Sequence, residues 1–186
     1  MADIKYKLMK NYVLGLVLLT LFSCTNNNTG SNSQVADTAA VKVAAPAVGV
    51  EFSKPVEQEI YAGYITLKNA LVSTQFDAAK KAAADLSKSL KAREGCETTA
   101  VTADKIAGAK DIAVQRKEFV GLSADVIALF KHADLKNGLV YVQHCPMAND
   151  GNGADWLASE SKIQNPYYGS EMMECGAVVE EIKTVK

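Results

Sequence analysis

Between Val56 and Leu90 the chain carries two apolar stripes at helical spacing, one directly after the other. Val56, Ile60, Tyr64, Leu67 and Leu71 recur in steps of four and three, and Phe76, Ala79, Ala83, Leu86 and Leu90 follow after a short gap. Such spacing gathers side chains on one face of an α-helix, and two such helices joined by a few residues pack antiparallel. Lys80, Lys81, Lys88 and Lys91 fall on the water side of the second stripe. Ser53 is placed to cap the first helix, with Pro55 in its first turn, where a missing N–H is harmless. Thr74 with Asp77 predicts the second N-terminus. Gly95 to Val101, including Cys96, is a break. From Thr102 the pattern predicts a third, longer helix to about Ala133, with Ile112, Phe119, Leu122, Val126 and Leu129 as its stripe and Asn137-Gly138 as its stop. Gly121 inside it marks a weak point or a close approach, and His132 falls near the last carbonyls.

After Gly138 the pattern changes. Leu139 to Val142 and Ala177 to Val179 with Ile182 are β-prone. An antiparallel pairing of these runs brings Cys145 beside Cys175, thirty positions later. Between them, Asn149 to Gly153 and Asn165-Pro166-Tyr167-Tyr168-Gly169 are turns, and Asp155 to Ile163 has room for one short helix. The predicted fold is therefore mainly α: an up-down-up three-helix bundle followed by a small antiparallel β element enclosing a Cys/Met-rich irregular loop.

That loop concentrates the chain's soft chemistry. His144 to Gly176 holds Cys145, Cys175, Met147, Met172, Met173, the only tryptophan, Trp156, and one of two histidines. Thiolates and thioethers suit a thiophilic ion such as Cu(I) or Ag(I). In an extended chain, residues two apart point the same way, so Met147 would join Cys145 and Met173 would join Cys175. His144 ranks below these sulfurs as a ligand because a regular strand turns it to the opposite face, and Met172 is assigned to packing. The same pattern also fits a disulfide between Cys145 and Cys175, closing a loop of about 31 residues worth about 3–4 kcal/mol in the chain-entropy model. Zinc through Cys145, Cys175 and His144 is a third combination, though the methionines favour a softer ion. Cys96 reads as a buried or half-buried free thiol, a third ligand or a bridge to a second copy being the minor readings, and Trp156, Tyr167 and Tyr168 as core. The helical core needs no cofactor.

Residues 1–24 form a lipoprotein signal peptide. Lys5, Lys7 and Lys10 make a basic start and Val13 to Phe22 an apolar run, about half the ~20 residues of a spanning helix. Leu21-Phe22-Ser23-Cys24 looks like a bacterial lipobox, with Cys24 the lipidated new N-terminus. Residues 25–52, rich in Asn, Ser, Thr and Ala, form a flexible tether, and residues 53–186 a single helical domain with the Cys/Met segment at its C-terminal end. No acidic residue follows Cys24 before Asp37, which leans toward a periplasm-facing location. Export places the cysteines in an oxidising compartment. Without Cys24 three remain, so at least one is unpaired within a monomer. The formal charge is −1, and −3 without residues 1–24, which lacks the basic footprint of a nucleic-acid binder. No G-x-S-x-G, phosphate-binding glycine loop or H-E-x-x-H occurs, and the chain is read as non-enzymatic.

Cys145-Pro146-Met147, Trp156-Leu157, Asn165-Pro166-Tyr167-Tyr168-Gly169, and Met173, Cys175 and Gly176 occur in that order. This resembles a bacterial domain of unknown function found alone in exported proteins of Bacteroidetes-like bacteria. The same domain also ends the adaptor (membrane-fusion) subunits of copper/silver efflux pumps. By pattern the resemblance extends over about residues 53–183, with its specificity in the last forty or so. It implies a periplasmic helical domain in the bacterial envelope, linked to copper or silver handling, with an efflux adaptor or pump as partner and no catalytic role. Cys-Pro-Met also recurs in short heavy-metal-binding modules, often followed by His; here Ala148 takes that place. The rival reading is a disulfide-stapled interaction module that binds no metal.

Overall fold

The computed structural model describes residues 49–184. The signal peptide expected over residues 1–24, with Cys24 expected to be lipidated, and the expected tether as far as residue 48 lie outside the described residues.

Helix α1 (Pro55–Val72) buries Ile60, Tyr64, Leu67 and Leu71, the stripe read from the sequence. Ser53 does not cap it. Lys54 holds the cap position, and the Ser53 hydroxyl donates instead to the Asp134 carboxylate. Helix α2 (Phe76–Lys91) buries Ala79, Ala83, Leu86 and Leu90. Its cap is Gln75, because Thr74 is spent on the turn, with a φ of 54°. The two helices run antiparallel: Thr74 joins their near ends, and Arg93 reaches Glu57, at 3.5 Å, across the far ends. Gly63 faces Leu86, and a Cβ there would sit in ordinary contact with it at 3.4 Å.

The third helix predicted from Thr102 to about Ala133 is two helices, so the described residues hold four helices rather than three. Helix α3 (Glu97–Ala107) begins five residues early, after Gly95 turns the chain at a φ of 83°. Thr102 sits inside it, its hydroxyl donating back to the Thr98 carbonyl. Helix α4 (Ile112–Lys131) begins afresh where the Asp111 carboxylate accepts the Val114 N–H at 2.8 Å. That side-chain bond satisfies one of the free N–H groups of a new helix end. Each helix packs on the next. Helix α4 returns to α1, where the Tyr64 and Ser123 hydroxyls share a bond of 2.7 Å and Phe119 stacks on Tyr64. Gly121 is neither a close approach nor crowded; a Cβ there meets nothing within 4 Å. His132 is the exposed C-terminal cap of α4.

Two small antiparallel sheets complete the fold. Strand β1 (Glu51–Phe52) pairs with β2 (Leu135–Asn137). The last residues assigned to the tether therefore belong to the core. Val50 and Phe52 are buried, and Phe52 packs on Tyr61 and Phe130 with ring centroids 5.3 and 4.7 Å away. Gly138 permits this closure, because a Cβ there would strike the Gly49 carbonyl. In the second sheet β3 (Leu139–Cys145) lies between β4 (Ala154–Ala158) and β5 (Ala177–Lys183). The β3–β5 pairing is the one the sequence predicts, with His144 opposite Ala177. The short helix predicted from Asp155 to Ile163 is absent, and β4 stands in its place. Asn149, Asp150, Gly151 and Gly153 all take positive φ, and this tight turn folds β4 straight back on β3, where Ala154, Trp156, Leu157 and Ala158 gain burial. Among the described residues no helix is long and apolar enough to cross a membrane.

Candidate functional site

Strand register brings the two distant cysteines together. Cys145 ends the central strand, fully buried. Cys175 and Gly176 lead into β5, whose first residue faces His144, so Cys175 arrives at the level of Cys145. Gly176 makes the approach possible: with its φ of 144°, a Cβ would lie 2.7 Å from the His144 carbonyl oxygen and 3.0 Å from the Trp156 ring. The sulfurs of Cys145 and Cys175 are 3.0 Å apart, and both thiols are free.

The loop before Cys175 is held by Asn165, a residue the sequence reading placed only in a turn. Asn165 is fully buried. Its Nδ2 donates to the Cys175 carbonyl at 2.8 Å, its Oδ1 accepts the N–H groups of Tyr167 and Tyr168, and its own N–H donates to the Met173 carbonyl at 2.9 Å. The signal was present in Asn165-Pro166, since an asparagine that opens a turn often accepts from the backbone just beyond it. Further ties come from Arg116 on α4, which donates to the carbonyls of Pro166 and Leu71, and from Tyr167, whose hydroxyl donates to the Asp155 carbonyl.

The two thiols are unequal. Burial pushes the Cys145 thiol up. Hydrogen bonds from the Cys175 thiol, the Met147 amide, the Asn165 carboxamide and the Ala148 amide outweigh that and hold it below the usual thiol range. Cys175 moves the other way, raised first by its bond to Cys145 and then by burial. The pair thus loses its first proton from the buried sulfur and keeps the second on the more accessible one. A thiolate is the form that ligates metal and attacks disulfides.

The other predicted ligands are placed differently. His144 faces away from the sulfurs, with Nδ1 2.7 Å from Asp155 Oδ1 and its ring over Gly153. Met147 and Met173 do not lie on extended chain. Met147 belongs to the turn closed by the Ala148 N–H on the Cys145 carbonyl, and Met173 to the turn closed by the Cys175 N–H on the Met172 carbonyl. The spacing argument for four converging sulfurs therefore loses its geometric premise. Met147 is 53% exposed beside Cys145, its carbonyl accepting the Tyr168 hydroxyl, while Met172 and Met173 are half-buried. Cys96 lies apart, buried at the start of α3 with Arg93 Nη1 3.4 Å from its sulfur. Trp156 and Tyr167 are core residues, packed edge to face. Among the described residues no three His, Cys, Asp or Glu side chains converge on one point, which removes the geometry that zinc through His144 requires.

The donor chemistry fits a soft ion: two thiols in contact, with the exposed thioether of Met147 two positions along the chain from Cys145. An ion bonded to both sulfurs at ~2.3 Å would hold them roughly 3.7 Å apart at a tetrahedral angle. A disulfide would draw them to ~2.05 Å. The observed separation lies between, so each state asks for a movement of only about 1 Å.

A second polar group, unforeseen in the sequence, links α1 to this sheet. Lys68 is fully buried and donates to Glu160 at 2.9 Å, while Gln143 on β3 donates to the carbonyls of Glu160 and Lys162. Lys68 falls four residues after Tyr64 and three before Leu71, so its place on the buried face was readable from spacing.

Residues 60–138 match the family model "Protein of unknown function (DUF3347)". A domain of unknown function thus covers the helices from within α1, through α4 and β2, and stops short of Cys145. No curated protein and no solved structure matches the chain.

Proposed function

We propose that this chain is a soft-metal binding protein of the bacterial cell envelope. It is tethered through lipid on Cys24, faces the periplasm, and carries Cu(I) or Ag(I) as cargo for a copper efflux adaptor or pump. Cys145 and Cys175 hold the ion, with Met147 and Met173 as supplementary thioethers. His144 is left to orient the β3–β4 hairpin through Asp155. The protein acts by binding and transfer, without catalysis and without nucleic acid. One observation carries this reading: two sulfurs thirty positions apart meet at 3.0 Å.

The same separation supports a second reading, in which an oxidising compartment closes the pair and the stapled loop docks a partner without metal. Competition between the reduced full chain and a Cu(I) chelator separates the two. The metal reading expects one tightly held Cu(I), the largest loss of affinity in Cys145→Ser, and a smaller loss in Met147→Leu with melting unchanged. Leucine nearly matches methionine in volume, and Met147 is mostly in water, so its fold cost is under ~1.5 kcal/mol. A reduced wild type that leaves all copper with the chelator ends the metal reading.

A further inference from the structure

Strand pairing brings Cys175 to the level of Cys145 but does not by itself seat it there. Cys175 precedes β5 and has no ladder partner; it stands at the end of an irregular stretch running from Ser159 to Gly176, broken only by one 3-10 turn (Gly169–Glu171). An asparagine carboxamide offers two donors and two acceptor positions. In Asn165 both acceptor positions and one donor are used, all inside this stretch. Oδ1 accepts from the Tyr167 and Tyr168 amides, which shapes the turn. Nδ2 donates to the Cys175 carbonyl at 2.8 Å and the Asn165 N–H donates to the Met173 carbonyl at 2.9 Å, which holds the chain on both sides of the approach to Cys175. Glutamine carries the same groups on a longer stem, and aspartate keeps both acceptors while losing both donors.

We infer that Asn165 is the positioning residue of the sulfur pair, fixing Cys175 against Cys145 so that the two act together. This rests on the reading that Cys145 and Cys175 work as one site, and it sharpens that reading. The acceptors build the turn and the Nδ2 donor holds Cys175. Asn165→Asp and Asn165→Ala should therefore differ in stability yet agree in loosening the pair.

The test equilibrates the full chain with mixtures of reduced and oxidised glutathione and reads the Cys145–Cys175 pair by peptide mass mapping. In closing, the pair gives two electrons and two protons to one oxidised glutathione, which leaves as two reduced molecules. The equilibrium therefore reports the effective concentration of one thiol at the other. Loss of a positioning contact should lower it by about tenfold or more in both Asn165 variants. Ser87→Ala, which removes a buried bond between α2 and α3, should lower the melting temperature and leave the thiol equilibrium in place. Cu(I) affinity, measured against a chelator on the same proteins, should fall in parallel with pair closure. A folded Asn165→Asp within twofold of wild type overturns the proposal. So does a failure of both Asn165 variants to fold, which would make the residue part of the core and nothing more. A wild type that closes its pair but takes no Cu(I) removes the metal reading and leaves the positioning role standing; Cu(I) uptake by wild type with both variants unchanged does the reverse.

Discussion

The helices and the segment from His144 to Gly176 are specified in opposite ways. In α1 and α2 each buried position repeats the one a turn earlier, and every backbone group inside the helix finds its partner by local geometry. In the Cys/Met segment each tie is made once. Asn165 holds Cys175, Tyr168 holds the Met147 carbonyl, Arg116 holds Pro166, and Gly153 and Gly176 leave room for His144 and Trp156. Redundancy makes the first region tolerant of substitution, and its absence makes the second depend on individual side chains.

Phe119 tests whether the two regions nonetheless unfold as one. It stacks on Tyr64 of α1 at 5.3 Å and meets Tyr167 of the loop at 5.8 Å. Phe119→Ala should cost about 3–5 kcal/mol. Trp156 fluorescence and far-UV circular dichroism should report the same lowered midpoint; an earlier fluorescence transition would divide the regions. Next in size is the N-terminal pairing. A chain starting at Ser53 loses buried Val50 and Phe52 and should unfold roughly 2–4 kcal/mol more easily than one starting at Gly49. A difference under ~0.5 kcal/mol in a denaturant titration would make β1 a passive edge.

The ion pair between the regions comes third. Burial raises the Glu160 carboxyl, but bonds from Ser159 and Lys68 outweigh it and hold it below the usual range. A carboxylate depressed in the folded state contributes stability above its unfolded pKa of about 4.3, and loses it as pH falls through the folded value. Glu160→Gln should therefore cost roughly 1–2 kcal/mol at neutral pH, discounted because Glu160 is 37% exposed. The gap to wild type should shrink on acidification; a gap constant from pH 7 to pH 3 counts against the pairing. Smallest is Asp111→Ala, which removes the cap of α4 and should cost about 1 kcal/mol. Thr102→Ala, inside α3, should cost less, and the reverse order would restore a single long helix.

Much of the helical region was legible because periodicity is a statistical signal that survives local exceptions. The β3–β5 pairing and the meeting of Cys145 with Cys175 were legible too, since β-branched runs and strand direction suffice to place them. Where the sequence reading failed, two local signals competed and the chain-level winner had no pattern. Thr102 reads as a cap but lies inside α3, while Asp111, which the sequence reading does not single out, caps α4. Asp155 to Ile163 has the length for a helix, but the left-handed turn at Asn149 to Gly153 commits the following residues to a hairpin. Lys68 stood at a stripe position by its spacing, but its charge hid it, because lysine is rarely fully buried unless paired. Asn165 was visible as a turn residue and not as a site residue, because its partners are backbone atoms that only the folded loop brings within reach.

The two-residue strand β1 has a mechanical consequence. If the chain hangs from a lipid on Cys24, as proposed above, any tension on it enters the domain at Glu51–Phe52 and is borne first by the ladder to Leu135–Asn137. Gly138 then joins that ladder directly to β3, which carries Cys145 at its opposite end. Because the ladder is so short, it should part before any helix does, and the detachment of Phe52 from Tyr61 and Phe130 would act as a fuse that spares the sulfur pair. Pulling the domain from its N-terminal side in a force spectrometer should show this as a small, low-force extension preceding the main rupture, and it should vanish in Phe52→Ala.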